Sequence, residues 1–334
     1  MLIGVLRVRL SLVNDGTKGS GMDYLASRGF RRLATATALA LYLLILIGGT
    51  VRVTESGLGC PDWPLCHGRL LPPLEITALV EFSHRLIALI SGVLVLSTVF
   101  VALRKYRNQP LVVLPAAAVI AIMVIQVPVG GLVVATELEP LVVAFHLGTA
   151  MLILANALAV AVVAHQPVDY VSKPAARRFP VLPPLTGVAL LCVLLSGALV
   201  VGGDASYACP DWPLCQGRLL PGVSANLQVA IQFFHRGMVG LVSILIVMVV
   251  ARAIRRWRAI QGVTTWAALL GGFFLAQVLV GAVQIWLVLP PALRILHLAT
   301  ATATWASIVV LNLLLAVGQE KAAAPGELAS VPIR

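Results

Sequence analysis

The sequence predicts an all-α, polytopic membrane protein with eight transmembrane helices in two pseudo-symmetric four-helix bundles. Three observations predict it. Of 334 residues, 60% are hydrophobic and only 11% charged, where soluble domains carry about 25% charged residues. Eight stretches approach the roughly 20 apolar residues that a helix needs to cross the hydrocarbon core. And residues 60–72, CPDWPLCHGRLLP, recur at 209–221 as CPDWPLCQGRLLP, so the chain is duplicated.

The eight stretches lie near 33–51, 77–103, 111–135, 141–164, 181–201, 226–251, 263–288 and 292–317. Lipid offers no hydrogen bonds, so each span must satisfy its own backbone, as a helix does. A transmembrane barrel would show alternating strands of about 10 residues instead; these runs are longer and more uniformly apolar. Four parts follow: a cytoplasmic N-terminal segment 1–32, an N-terminal half 33–170, a C-terminal half 171–317 and a tail 318–334. The apolar stretch at the start is broken by Arg7 and Arg9 and has no clear cleavage site, so no signal peptide is expected. Met22 is a second candidate start, and the small, polar tail is expected to be disordered.

A net charge of +11 invites a nucleic-acid reading, but its distribution argues against one. Basic residues collect in alternate loops: Arg104, Lys105 and Arg107; Lys173, Arg177 and Arg178; Arg252, Arg255, Arg256 and Arg258. Arg28, Arg31 and Arg32 precede the first span. The other loops hold Glu55, Asp62, Glu75, Glu137, Glu139, Asp204 and Asp211. The positive-inside rule places both termini in the cytoplasm and the cysteine loops outside. Anionic lipid is a secondary partner for the basic loops.

The duplication extends past the loop. His84 pairs with His235, His146 with His297, Gln126 with Gln277, Val129-Gly130 with Val280-Gly281, and Thr149 with Thr300. Each half has an even number of spans, so the halves share one orientation, a parallel repeat about an axis along the membrane normal. His84 and His146 lie on helices running the same way, at roughly 8–11 Å below the outer surface from the rise per residue. They can face each other across one bundle, and His235 and His297 can do the same.

Ionisable residues inside a membrane are costly and point to function, although a histidine also serves as polar glue between helices. Four of them, paired at matching depth and repeated, favour function. Two facing imidazoles suit the axial positions of an iron porphyrin. Zinc would require three or four ligands, and each half offers two. Arg85 and Arg236 follow His84 and His235 directly. They are candidates for haem propionates and equally for snorkelling to lipid phosphates; Arg52 and Arg294 are weaker propionate candidates. His67 has Gln216 as its counterpart, which argues against a ligand role, and His165 is expected at a solvated helix end.

One acidic position beside the first histidine of each pair breaks the match. Glu81 stands three residues before His84, on the same helix face, while Gln232 holds that place before His235. A glutamine cannot exchange protons, so proton chemistry is expected in the N-terminal half alone. The competing use of Glu81 is an ion pair with Arg85 or Arg52 at the outer interface.

Cys60 and Cys66 have five residues between them, as do Cys209 and Cys215. The Pro-Asp-Trp-Pro insert suits a tight turn, and thiols outside the membrane oxidise readily. Two local disulfides are expected. Metal binding and a redox-active dithiol remain open alternatives. Cys192 reads as a small buried hydrophobe. Trp63 and Trp212 suit interfacial anchors or lids over a cofactor.

Taken together, Glu-x-x-His-Arg at 81–85, His-Arg at 235–236, Phe-His-Leu-Gly-Thr at 145–149, Leu-His-Leu-Ala-Thr at 296–300 and the paired cysteines resemble the haem A synthase family of integral membrane proteins, in its bacterial type with two cysteine pairs. The resemblance covers about residues 33–317. It implies oxidation of a methyl group of haem O to a formyl group, through a hydroxymethyl and a hydrated aldehyde, to give haem A for terminal oxidases. It implies His84 and His146 as ligands of the substrate haem and Glu81 as the acid/base residue. It implies a resident haem B cofactor on His235 and His297. Haem O synthase and an electron-transfer protein are the implied partners, in the plasma membrane, and an oligomer is compatible with the pattern. Two rivals stand beside it: a di-haem cytochrome that carries electrons without altering haem, and a transporter of haem or quinone built from parallel repeats. Against the transporter, Pro128 is read as the only mid-span proline, with Leu279 at its repeat position.

Overall fold

The computed structural model describes residues 25–167, 180–222 and 226–317. The expectations for the first residues, for the basic loop at Lys173, Arg177 and Arg178, and for the tail lie outside the described residues. The described residues form eight helices: α1 (Arg28–Val53), α2 (Ile76–Lys105), α3 (Pro110–Ala135), α4 (Pro140–Ala164), α5 (Leu182–Gly202), α6 (Leu227–Arg256), α7 (Val263–Trp286) and α8 (Pro291–Val317). Among the described residues all eight are long and apolar enough to cross a membrane, and the chain is a multi-pass membrane protein.

Helix limits depart from the hydropathy pattern where basic residues extend a helix beyond the apolar run. α1 starts at Arg28 because the Ser27 hydroxyl accepts the amide hydrogen of Phe30, an N-cap. α6 carries on through Arg252, Arg255 and Arg256, where basic side chains favour the negative end of the helix dipole. α3, α4 and α8 open on prolines at 110, 140 and 291, where the missing N–H costs nothing. Pro128 is not alone inside α3: Pro115 also lies within that helix.

Neighbouring helices meet in two rings: α1–α2–α3–α4 and back to α1, then α5–α6–α7–α8 and back to α5. α4 and α8 touch each other and the opposite halves, α4 meeting α5 and α8 meeting α1. These two are the most buried spans, half of their most apolar stretch being enclosed against 17% for α3. One continuous apolar core therefore runs through both halves. Small residues let helices approach where lipid supplies no hydrophobic drive: Gly49 on α1 faces Leu298 on α8, and Gly148 on α4 faces Leu195 on α5. Two hydrogen bonds cross the seam. Trp305 Nε1 donates to the Met151 carbonyl at 3.0 Å, and the Tyr42 hydroxyl donates to the Ala299 carbonyl at 3.0 Å.

The duplication is visible in the backbone. Glu55 and Asp204 both take left-handed φ values, 54° and 53°, just after α1 and α5. Glu137-Leu138 and Val288-Leu289 do so in the connections that lead into α4 and α8. Leu138 N–H reaches back to the Val133 carbonyl and Leu289 N–H to the Gln284 carbonyl, which closes the ends of α3 and α7 with the six-to-one bond of a Schellman turn. Both turns thus launch the next helix, with its histidine, in the same way.

Cys192 departs from expectation. It is exposed on α5 rather than buried, because it lies on the face turned away from the core, where a thiol is as compatible with lipid as an alkyl group. His165 ends α4 exposed, its Nδ1 at 2.8 Å from the Ala161 carbonyl.

Candidate functional site

Each of the four membrane histidines lies against a glycine of a neighbouring helix. The Cε1 edge of His84 sits 3.1 Å from where a Cβ on Gly48 would be, and His146 sits 3.3 Å from that of Gly130. In the second half His235 is 3.2 Å from the Cβ position of Gly197 and His297 is 2.9 Å from that of Gly281. The four slots are therefore one device used four times. A glycine on the odd-numbered helix lets the imidazole of the next helix lie close to the backbone. Any larger residue would push the ring away. His84 and His235 are eight residues into α2 and α6, and His146 and His297 six into α4 and α8, about 12 and 9 Å along their helices from the N-terminal end.

The ring nitrogens differ in their partners. Nδ1 of His84, of His146 and of His297 is buried without a hydrogen-bond partner. On His235, Nδ1 lies 2.8 Å from the Ser196 hydroxyl, which leaves Nε2 for another partner. On His146 and His297, Nε2 lies 3.4 and 3.1 Å from the side-chain amides of Gln126 and Gln277. Those glutamines also meet Thr149 and Thr300, so each links α3 to α4 or α7 to α8. Buried polar atoms are almost always satisfied. Each of the four imidazoles keeps one nitrogen without a hydrogen bond in the protein, and two imidazoles per half are the donor type that fits a bis-histidine porphyrin. Among the described residues no three His, Cys, Asp or Glu side chains come together around a metal ion, so the pairs do not form part of a larger tetrahedral donor set.

Glu81 is 6% exposed and Gln232 5%, so both occupy the same buried position. Arg85 Nε donates to Glu81 Oε1 at 3.0 Å; no hydrogen bond engages Oε2. Gln232 instead donates from Nε2 to the Ser206 carbonyl at 3.4 Å and leaves its Oε1 buried and unsatisfied. The ion pair foreseen as the competing use of Glu81 is thus present, and it leaves one carboxylate oxygen unbonded.

The arginines hold the cysteine loops. Arg85 Nη1 donates to the carbonyls of Asp62 and Leu65, and Nη2 to that of Cys60. Arg236 repeats the pattern on Asp211, Leu214 and Cys209. A planar fork with several donors suits this clamp. Each guanidinium ties the loop directly to the turn of helix that carries the histidine, a role the sequence did not suggest because its partners are backbone carbonyls.

The loops themselves are twins. Cys60 and Cys66 are joined by a disulfide, as are Cys209 and Cys215, with Cα atoms 4.6 Å apart in both. Asp62 accepts the amides of His67 and Gly68 at 2.6 and 2.7 Å, and Asp211 those of Gln216 and Gly217. The amide of Gly68, then that of His67, holds the Asp62 carboxyl below its usual range; Gly217 and Gln216 do so for Asp211. His67 and Gln216 are left-handed, and both side chains reach a backbone carbonyl, Gly59 and Ala208. That shared contact explains why His and Gln interchange there. The tryptophans differ: Trp63 lies over Gly131 of α3, while Trp212 meets Trp286 edge-on with ring centres 6.0 Å apart.

Comparison with known proteins agrees with these features. The profile of a family described as COX15-CtaA, cytochrome oxidase assembly protein, matches residues 31–78 and 74–309. The chain belongs to this family. Among its relatives is a protein named heme A synthase from Symbiobacterium thermophilum, 31% identical over 310 residues, which span 89% of this chain and 99% of the relative. A heme A synthase from Geobacillus thermodenitrificans is 32% identical over 250 residues, 69% of this chain and 74% of the relative. One from Shouchella clausii is 28% identical over 253 residues, 72% and 82% of the two chains.

Proposed function

We propose that this protein oxidises the methyl group of haem O to the formyl group of haem A. The observation that carries the reading is the buried carboxylate of Glu81 beside one histidine pair, where the matching position of the other pair holds Gln232. Its relatives named heme A synthase support the reaction. His84 and His146 hold the substrate haem between α2 and α4. His235 and His297, on α6 and α8, would hold haem B. Haem B, when bound, supplies a one-electron redox centre.

The chain's own residues then divide the work. Gly48 and Gly130 admit the two imidazoles that orient the substrate. Taking a methyl group to a formyl group balances as R–CH3 + H2O → R–CHO + 4 H+ + 4 e−, the oxygen being written as water and the electrons passing to the electron-transfer partner. Glu81, through the oxygen that Arg85 does not bond, accepts protons or steadies positive charge developing at that substituent. Arg85 keeps the carboxylate in place and couples it to the cysteine loop. The spare donor of each guanidinium fork is available to a haem propionate. The two halves are the two functional units, 33–170 for substrate and 171–317 for the resident haem. The basic loops face the cytoplasm of a bacterial cell, the disulfide loops face outward, and haem O synthase and an electron-transfer protein are the partners.

The test is co-expression with a source of haem O in cells that make no haem A, followed by extraction and chromatography of the haems. Formyl-haem is expected. Haem O and haem B alone would instead indicate a cytochrome that only carries electrons.

A further inference from the structure

We propose that the residue preceding the glycine slot sets the two pockets apart: Ser196 locks His235 as a permanent ligand, whereas Ile47 at the same place leaves His84 free to release its guest. This rests on the two-pocket reading above. The slots of His84 and His235 are nearly superimposable. A Cβ on Gly48 would lie 3.1, 3.6 and 3.7 Å from Cε1, Nδ1 and Nε2 of His84, and one on Gly197 3.2, 3.7 and 3.8 Å from the same atoms of His235. What differs is one position earlier. Ser196 stands before Gly197, and Ile47, 149 residues upstream, stands before Gly48.

The Ser196 hydroxyl hydrogen is committed to the Val193 carbonyl at 2.8 Å. A carbonyl only accepts, so the oxygen of Ser196 must receive the Nδ1–H of His235 at 2.8 Å. That bond fixes the tautomer with its lone pair on Nε2, orients the ring and makes Nε2 a better donor, as outer partners of ligating histidines do. His84 has no such partner, and its Nδ1 is buried and unbonded. Isoleucine cannot supply an acceptor. A resident cofactor calls for the first arrangement. A substrate that must enter and leave once per turnover calls for the second. Ser196 is thus a positioning residue acting through His235, and it explains how two near-identical sites serve opposite kinetic needs.

The experiment uses the purified, haem-loaded full chain, with Ser196→Ala, Ile47→Ser and His235→Ala. Haem transfer to excess apomyoglobin gives the release rates, and optical redox titration gives the midpoint of each haem. Ser196→Ala should speed release of the slow haem about 10- to 100-fold. It should also raise that haem's midpoint, since weaker donation favours the ferrous state; each tenfold change in ferric-over-ferrous preference is 59 mV. Ile47→Ser should slow the fast haem's release and lower its midpoint. Unchanged rates and midpoints in both variants, or a change in Ser196→Ala without the reciprocal change in Ile47→Ser, would overturn the proposal. His235→Ala separates this from failure of the pocket reading: if it retains the slow haem, His235 is no ligand and the two-pocket reading itself falls.

Discussion

The N-terminal and C-terminal halves build their sites from the same parts and differ at telling positions beside them. Both present two imidazoles in glycine slots, both fasten a disulfide loop with an arginine, and both brace that loop with an aspartate. Against that background the differences stand out: Glu81 for Gln232, Ile47 for Ser196, and a tryptophan lying on Gly131 where its twin meets Trp286. On the reading proposed above, the duplicated sites do different work: a carboxylate and an unanchored histidine suit one to reaction and exchange, and a neutral amide and a hydroxyl-anchored histidine suit the other to retention.

Removing a ligand from either half should break the comparison most severely. His84→Ala is expected to abolish haem A formation while haem B remains bound, and His297→Ala to strip the resident haem. Haem per chain by pyridine haemochrome, read beside haem chromatography, checks both. If both variants lose both haems alike, the halves are not independent sites.

The glycine slots offer a sharper contrast within one helix. Gly281→Ala places a methyl 2.9 Å from His297, whereas Gly272, also on α7, has nothing within 4 Å of its Cβ position. The first should displace the imidazole and cut haem retention at least tenfold, within the range seen when ligand positioning is lost. The second should leave haem content unchanged and stabilise the helix by up to about 1 kcal/mol. Absorbance of the bis-histidine haem and thermal unfolding in detergent measure the pair.

The loops should respond more mildly and alike. Cys60→Ser opens a short ring, for which the chain-entropy relation gives about 2 kcal/mol of local stability, and Cys209→Ser should match it. Protease sensitivity at Arg69 and Arg218 reports the change. Smaller still is the effect of acid. The folded carboxyls of Asp62 and Asp211 are held below their ordinary range. Their stabilisation is therefore complete above about pH 4, the unfolded value, and fades as pH falls through the depressed folded one. Hydrogen-exchange protection at Gly68 and Gly217 should decline in that window and not at neutral pH.

The fold was readable because span length and charge placement are dictated by the bilayer, and because the repeat fixed how the halves correspond. The four glycine-slotted histidines stood out in sequence because an imidazole is expensive in lipid and differs from leucine and valine. Other parts left no comparable trace. Arg85 and Arg236 look like propionate or phosphate partners in sequence, since their actual partners are carbonyls that every residue has. Gly130 and Gly281 were visible as a repeat, yet a glycine in an apolar helix reads equally as close helix packing. Ser196 was hidden the same way, and only its distance from His235 gives it meaning. Cys192 was misjudged because a lipid-facing surface and a core select the same apolar residues.

Glu81→Gln, which gives the first site the side chain of the second, addresses the division of labour most directly. The variant should fold, hold haem in both halves and accumulate unconverted haem O, with formyl-haem reduced about 100-fold or more as expected for loss of a general acid or base. Formyl-haem at the unsubstituted protein's level, in chromatography of haems extracted from that variant, would contradict a proton-handling role for the first site.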